Sequence, residues 1–282
     1  MTGVREAVAV LTAGHTWRPP AAIAPRGTLL VLPGRGEHGG VYERFGRRLA
    51  ADGYVVHAVG TAPHDGAAAV AKELTAAAGP EPAAPVVVVG ADTGALQALL
   101  VAEASRDDAR DTLGDPTASG EGLRVDAVVV AGIAPTAPRV RQPDPVRPDP
   151  LDPAAGWDGE LTARTACPAH RQRLTADPWF ARGALSRPVP AGLLPAAAPA
   201  VPVLLLHGDA DPVTPIAEAR QLAGRLPRAE LGTVHGGLHD VLNDLTHRSV
   251  AAAVTQWLER LRGGPGSEPV ITLETFTERS AR

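Results

Sequence analysis

The sequence predicts an α/β fold, a mostly parallel sheet with helices on both faces. Three observations predict it. Short, wholly apolar runs alternate with helical stretches along much of the 282 residues, the pattern of strands buried on both faces. The run Val86-Val87-Val88-Val89 passes through Gly90-Ala91-Asp92-Thr93-Gly94 into helix-favouring Ala95-Leu96-Gln97-Ala98-Leu99-Leu100, a strand turned sharply into a helix. Asp211 and His239 each follow a later strand. In a parallel sheet these two and Asp92 all fall at the carboxyl edge, where ligands bind.

The elements follow in order. Residues 7–11 read as a weak strand, and a Pro-rich connection follows. Residues 27–33 (GTLLVLP) are apolar and stopped by Pro-Gly, a buried strand. After the glycine-rich Pro33-Gly34-Arg35-Gly36-Glu37-His38, residues 41–52 space Val41, Phe45, Arg48, Leu49 and Asp52 by threes and fours. That is an amphipathic helix, with Gly53 as its cap. A strand at 54–59, a loop at 60–66 and an alanine-rich helix at 67–78 lead to the elbow, whose helix runs to about Ser105. Residues 106–122 are polar surface. Strands at 125–133, 201–207 and 230–234 and helices at 216–226 and 246–261 complete the core, which comprises residues 1–133 and 200–262.

Residues 134–199 read as a Pro-rich lid, placed after the sixth strand. Seven prolines between Pro135 and Pro153 make a semi-rigid entry, then Trp157, Leu161, Cys167, Leu174, Trp179, Phe180 and Leu185 lie on short helices. Residues 263–282 read as a peripheral tail, in which 270–276 could add an edge strand.

A net charge of −4 and a pI near 6.1 give no electrostatic footprint for nucleic acid or an anionic membrane. The single cysteine, Cys167, excludes a disulfide framework or a cysteine metal site and reads as a small buried hydrophobe. No metal and no cofactor are expected. No segment approaches the roughly 18 apolar residues of a membrane span, and no signal-peptide pattern opens the chain, so the expectation is a soluble, cytoplasmic protein acting on a small molecule. A homodimer is left open. All but one of the 27 basic residues are arginine, Lys72 being the exception, which reads as the codon bias of a GC-rich genome.

The elbow, with an acid and then a histidine downstream, is the order that α/β-hydrolases use. The chain resembles that superfamily, and within it the monoacylglycerol lipase and lysophospholipase-like branch. The resemblance rests on Gly34-Arg35-Gly36-Glu37-His38, Val41-Tyr42, Leu49-Ala50 with Gly53-Tyr54 and Val56, HGDADPVTP at 207–215 and HDVLND at 239–244. It implies Asp211 as triad acid, His239 as base, and backbone N–H groups of Arg35 and Thr93 as the oxyanion hole. Three departures stand beside it. Pro33-Gly34 replaces the family's His-Gly, residues 60–66 lack its Asp-x-x-Gly-His-Gly-x-Ser, and Asp92 occupies the serine position.

An aspartate attacking an ester would form a mixed anhydride, whereas attack on a saturated carbon forms an ordinary ester that activated water can hydrolyse. The resemblance to epoxide hydrolases and dehalogenases, which carry aspartate here, therefore points to Asp92 as nucleophile on an epoxide or carbon–halogen substrate, His239 activating water and Asp211 orienting the imidazole. Helper residues are sparse. The lid has no tyrosine, and Thr93 stands where dehalogenases place tryptophan. Trp157, Trp179 and Phe180 are the pocket candidates, either tryptophan a potential indole donor, with lid packing as the plainer alternative. His170 and His64 could donate a proton but read as solvated loop side chains, His235 reads as a surface residue, and Asp209 competes with Asp211. Asp92 could instead be structural, bonded to N–H groups at the helix start. Catalysis of an esterase type, a non-hydrolytic reaction and an inactive binder stay open as alternatives.

Overall fold

The computed structural model describes residues 14–111, 123–136 and 149–264, without the side chains of 106–111 and 153. The expected strand at 7–11 and the tail strand at 270–276 lie outside the described residues.

Among the described residues seven strands form one sheet: β1 (His15–Trp17), β2 (Thr28–Leu32), β3 (Val55–Ala58), β4 (Val86–Asp92), β5 (Ala127–Ile133), β6 (Val203–Gly208) and β7 (Ala229–Val234). Their order is β1-β3-β2-β4-β5-β6-β7. Only the edge pair β1–β3 is antiparallel; the other pairings are parallel. Among the described residues seven α-helices join them: α1 (Glu43–Ala51), α2 (Ala67–Ala78), α3 (Thr93–Asp111), α4 (Gly156–Arg164), α5 (Pro168–Ala176), α6 (Ile216–Arg225) and α7 (His247–Arg262).

The apolar runs become strands because both faces find partners. On one face Leu29, Val31, Val87, Val89 and Val129 pack with Phe45, Leu49, Val254, Trp257 and Leu258 of α1 and α7. On the other Leu30, Leu32, Val88, Val128 and Val130 pack with Val70, Leu74, Leu96, Leu99 and Leu222 of α2, α3 and α6. Each such side chain contributes about 1.5–3 kcal/mol, and the β-branched valines among them suit the extended backbone as well. The spacing read at 41–52 holds, except that residues Gly39–Tyr42 form a 3-10 turn before α1. Val41, Phe45 and Leu49 face the core while Arg48 and Asp52 are exposed.

Among the described residues five strands precede the 134–199 segment, one fewer than the sequence expectation of six. Within it, α4 and α5 pack directly on the core: Leu161, Leu174 and Phe180 belong to the same buried cluster as Val31 and Val87. The strand order sets the loop after β2 on one side of the β4 end and the end of β5 on the other, with the loops after β6 and β7 beyond. Four loops thus converge on Asp92.

Candidate active site

Asp92 closes β4 at φ +49, the one non-glycine residue with positive φ among the described residues. Its pairing to β5 slips by a residue between Ala91 and Asp92, where the chain turns into α3. Gly90 and Gly94 make that turn feasible. A Cβ on Gly90 would stand 2.2 Å from the Gly94 carbonyl oxygen, and one on Gly94 2.3 Å from that of Leu32. The elbow is therefore as tight as its sequence implied, and the backbone at Asp92 is held in a region that most side chains avoid.

The Asp92 carboxylate is buried, with four donors around it. Oδ2 accepts from the Arg35 main-chain N–H and from Arg35 Nε, each at 2.8 Å. Oδ1 accepts from Arg35 Nη2 at 2.8 Å and lies 3.2 Å from His239 Nε2. His239 Nδ1 in turn meets Asp211 Oδ2 at 2.8 Å. Asp211 is held by its own loop, its Oδ1 accepting from the N–H groups of Val213 and Thr214. Asp209, the competing acid, instead pairs with exposed His235 at 2.9 Å. The geometry assembles Asp92, His239 and Asp211 into one relay.

Electrostatics follow from that packing. Burial penalises charge on Asp92, but the Arg35 guanidinium and then His239 hold it well below the usual carboxylate range. Burial likewise disfavours an imidazolium at His239, yet Asp211 and Asp92 outweigh it and push the ring up to about 10. Four charges, two of each sign, sit together. His207, buried beneath, is pulled down chiefly by burial; its Nε2 lies 2.8 Å from the Thr214 carbonyl and 3.3 Å from Asp211 Oδ2.

The side chain of Arg35 is the feature that sequence reasoning missed. The sequence points to its backbone N–H, which does reach the elbow residue. Its guanidinium also lies over the carboxylate, and Nη1 donates to the carbonyls of Leu185 and Arg187 at 3.1 and 2.6 Å. Arg35, Asp92 and His239 are each no more than 3% exposed. The pair was not legible because its two ends are 57 residues apart and the anchoring carbonyls come from the inserted segment.

Behind Arg35 lies a second ionic cluster. Arg164, at the end of α4, donates from Nη2 to the Arg35 carbonyl at 2.6 Å and to Glu160 at 3.0 Å, and from Nη1 to Asp240 at 3.4 Å. Glu37 stands 3.9 Å from it, and the Phe180 ring lies 4.8 Å from its guanidinium carbon. Burial, reinforced by Asp240, raises the Glu37 carboxyl, while Arg164 pulls the other way. Glu160 also accepts from the N–H groups of Gly183 and Leu185. The Ala163 and Arg164 carbonyls accept from His239 and Asp240. One helix of the inserted segment therefore braces both the Arg35 loop and the His239 loop. The Glu160/Arg164 spacing of four, on a helix read only for its apolar residues, was the available signal.

Other expected residues lie elsewhere. The Trp157 indole N–H donates to Thr175 within the inserted segment, and its ring packs on Phe180 at 5.5 Å, so it does not serve Asp92. Trp179 is half-buried, its main-chain N–H donating to Asp177, and Phe180 covers Arg164. His170 is fully buried against Asp240 at 3.3 Å, not solvated as its surroundings in sequence suggested. His64 is exposed. Thr93 is buried beside Asp92, its hydroxyl without a hydrogen-bond partner. Cys167 is buried, and Arg44 Nη1 reaches its sulfur at 3.4 Å. No group of three or more metal-ligating side chains occurs among the described residues, and no described helix is long and apolar enough to cross a membrane.

Comparison with known proteins agrees with this architecture. The chain is 27% identical over 271 residues to a monoacylglycerol lipase of Mycolicibacterium smegmatis, covering 86% of this chain and 90% of that protein. It superposes on the crystal structure of Paleococcus ferrophilus monoacylglycerol lipase with a TM-score of 0.61 at 20% identity, covering 88% of this chain and 98% of that one. An esterase from Rhodococcus sp. ECU1013 gives 0.59 at 19% identity, covering 88% and 94%. These two likenesses bear on the fold. Residues 23–246 match the family described as serine aminopeptidase, S33, so the chain belongs to that family and is a hydrolase of the α/β-hydrolase superfamily.

Proposed function

We propose that this hydrolase works through a transient ester on Asp92, formed with a small apolar substrate that presents a saturated carbon bearing a leaving group, an epoxide or a carbon–halogen bond. One observation carries the reading. Asp92 Oδ2 rests on the Arg35 main-chain N–H at 2.8 Å, while Oδ1 faces His239 Nε2 at 3.2 Å, with Asp211 behind the imidazole. One oxygen is held by an oxyanion-type donor and the other is directed to the relay.

In this reading the Arg35 guanidinium first withdraws from Oδ1. A lone pair of Oδ1 attacks the carbon in line, forming a C–O bond as the leaving group departs with its electron pair. A departing halide leaves as the anion. An opened epoxide oxygen takes a proton, for which the His239 imidazolium is the donor at hand. Esterification abolishes the Asp92 charge, one of the two that hold the His239 proton, so the ring gives that proton to the opened epoxide oxygen or, after halide loss, to solvent and reaches its neutral, basic form. Neutral His239 takes a proton from water, and hydroxide adds to the Asp92 carbonyl carbon. The developing oxyanion at Oδ2 stays on the Arg35 N–H. Collapse passes the proton of the added hydroxyl to the departing oxygen, which releases the alcohol and restores the carboxylate beside a protonated His239.

The test is intact-mass analysis of His239→Gln after incubation with a panel of epoxides and organohalides, both neutral and carboxylate-bearing. The expected result is an adduct on Asp92 that accumulates in the variant and turns over in the parent. The names of the relatives, monoacylglycerol lipase and esterase, favour a second reading in which Asp92 acts as general base for water on a carboxylic ester. Hydrolysis of p-nitrophenyl esters that Asp92→Asn abolishes, with no adduct in His239→Gln, would select it.

A further inference from the structure

We propose that Arg35 is a specificity element, its guanidinium recognising a carboxylate carried by the substrate. The inference rests on the reading of Asp92 as the reacting group and adds the substrate class.

Attack by Asp92 requires one of its donors to move. Arg35 Nη2 and His239 both reach Oδ1, and Nε and the main-chain N–H of the same arginine both reach Oδ2. With four donors in place the carboxylate has no lone pair directed at a substrate carbon. The main-chain N–H and His239 can stay during attack, but the guanidinium cannot. Arg35 is 3% exposed, so withdrawing it for a neutral substrate would leave a buried cation on two carbonyl oxygens, those of Leu185 and Arg187. An unpaired buried charge is strongly disfavoured.

A carboxylate on the substrate removes that cost. Guanidinium donors match a carboxylate in a two-pronged geometry, and the edge formed by Nε and Nη2 is the one that Asp92 now occupies. Nη1 remains tethered to the Leu185 and Arg187 carbonyls, so a small swing frees the Nε–Nη2 edge from Asp92 for the substrate without releasing the arginine. Asp92 meanwhile keeps the Arg35 main-chain N–H and the His239 imidazolium. Every charge then has a partner before and after the exchange. Because Nη2 is 2.8 Å from the attacking oxygen, a carboxylate taken by that edge brings its neighbouring carbon close to Oδ1. The favoured substrates are small acids with the leaving group on the carbon next to the carboxylate.

The probes are propionate and its neutral isostere propionamide, with binding read by calorimetry on the intact chain. The inference expects parent protein to bind propionate and not propionamide. Asp92→Asn, which removes the competing carboxylate, is expected to bind propionate at least tenfold more tightly, a gain that misfolding cannot mimic. Arg35→Gln is expected to lose that binding. Equal binding of the two probes, unchanged propionate affinity in Asp92→Asn, or propionate binding that survives Arg35→Gln would each overturn the inference. The Asp92 reading has its own arm, 2-chloropropionate with His239→Gln followed by mass analysis. Arg35-dependent propionate binding without an adduct there overturns that reading and leaves the anion site standing.

Discussion

Arg35 meets Asp92 through both its main chain and its side chain, with three donors at 2.8 Å on the two carboxylate oxygens. The contact joins the loop after β2 to the end of β4 and makes an ion pair of two groups that are nearly inaccessible to solvent. A buried pair of this kind contributes less than its Coulomb attraction implies, because both ions lost hydration, yet removing one partner leaves the other stranded.

The stability consequence is a coupled pair. Arg35→Met or Asp92→Asn alone is expected to lower unfolding free energy by about 3–5 kcal/mol. The double variant should cost clearly less than the sum, since it strands no charge. Urea unfolding of the four proteins measures the coupling, and strict additivity would show that the pair is electrostatically idle.

The elbow predicts a steric cost without any change of charge. Gly94→Ala would press a methyl group against the Leu32 carbonyl oxygen, 2.3 Å from the ideal Cβ position. A loss above about 2 kcal/mol is expected, since a rigid backbone cannot yield as a flexible side chain would. Thermal unfolding checks it. Gly66→Ala, where a Cβ meets nothing within 4 Å, serves as the control and should shift the midpoint little.

The pH dependence has a definite sign. His239 is raised from 6.5 to about 10 in the folded chain, so it binds a proton that the unfolded chain has lost between those values. Its stabilising contribution is complete below pH 6.5, declines as pH climbs, and is gone once pH passes through about 10. Asp92, depressed below 3.8, contributes above that value and loses its effect as pH falls through the lower folded value. Denaturant midpoints recorded from pH 6 to pH 10 should therefore fall more steeply for the parent than for His239→Gln.

The brace at Arg164 predicts that a residue of the inserted segment governs the site. Arg164→Met leaves Glu37, Glu160 and Asp240 without their shared cation and removes the bond to the Arg35 carbonyl. A destabilisation of about 3–5 kcal/mol is expected, with the Arg35 and His239 loops losing protection together in hydrogen exchange. Loss confined to α4 would contradict the brace.

Much of the core was legible in the sequence because it rests on local signals. Uninterrupted apolar runs marked β2, β4, β5 and β6, and the two glycines around Asp92 marked the turn. The order of Asp92, Asp211 and His239 then placed three side chains at one edge of the sheet, where the geometry brings them into contact. What stayed hidden depends on distance along the chain. The three residues of β1 are held by pairing with β3 rather than by their own pattern. The direction of the Arg35 side chain is set by carbonyls some 150 residues away. Asp209 competes with Asp211 in the sequence, and the turn that aims Asp211 at His239 while Asp209 pairs with His235 separates them. His170 looked solvated because the acid that buries with it, Asp240, lies 70 residues downstream.

The most direct test of Asp92 as the reacting group is single-turnover hydrolysis in ¹⁸O-labelled water, with protein in excess over 2-chloropropionate, followed by peptide mass spectrometry. If an Asp92 ester is hydrolysed by attack at its carbonyl carbon, the heavy oxygen enters the Asp92 carboxylate and the first product carries ordinary oxygen. Label in the product alongside an unlabelled Asp92 peptide would contradict the account.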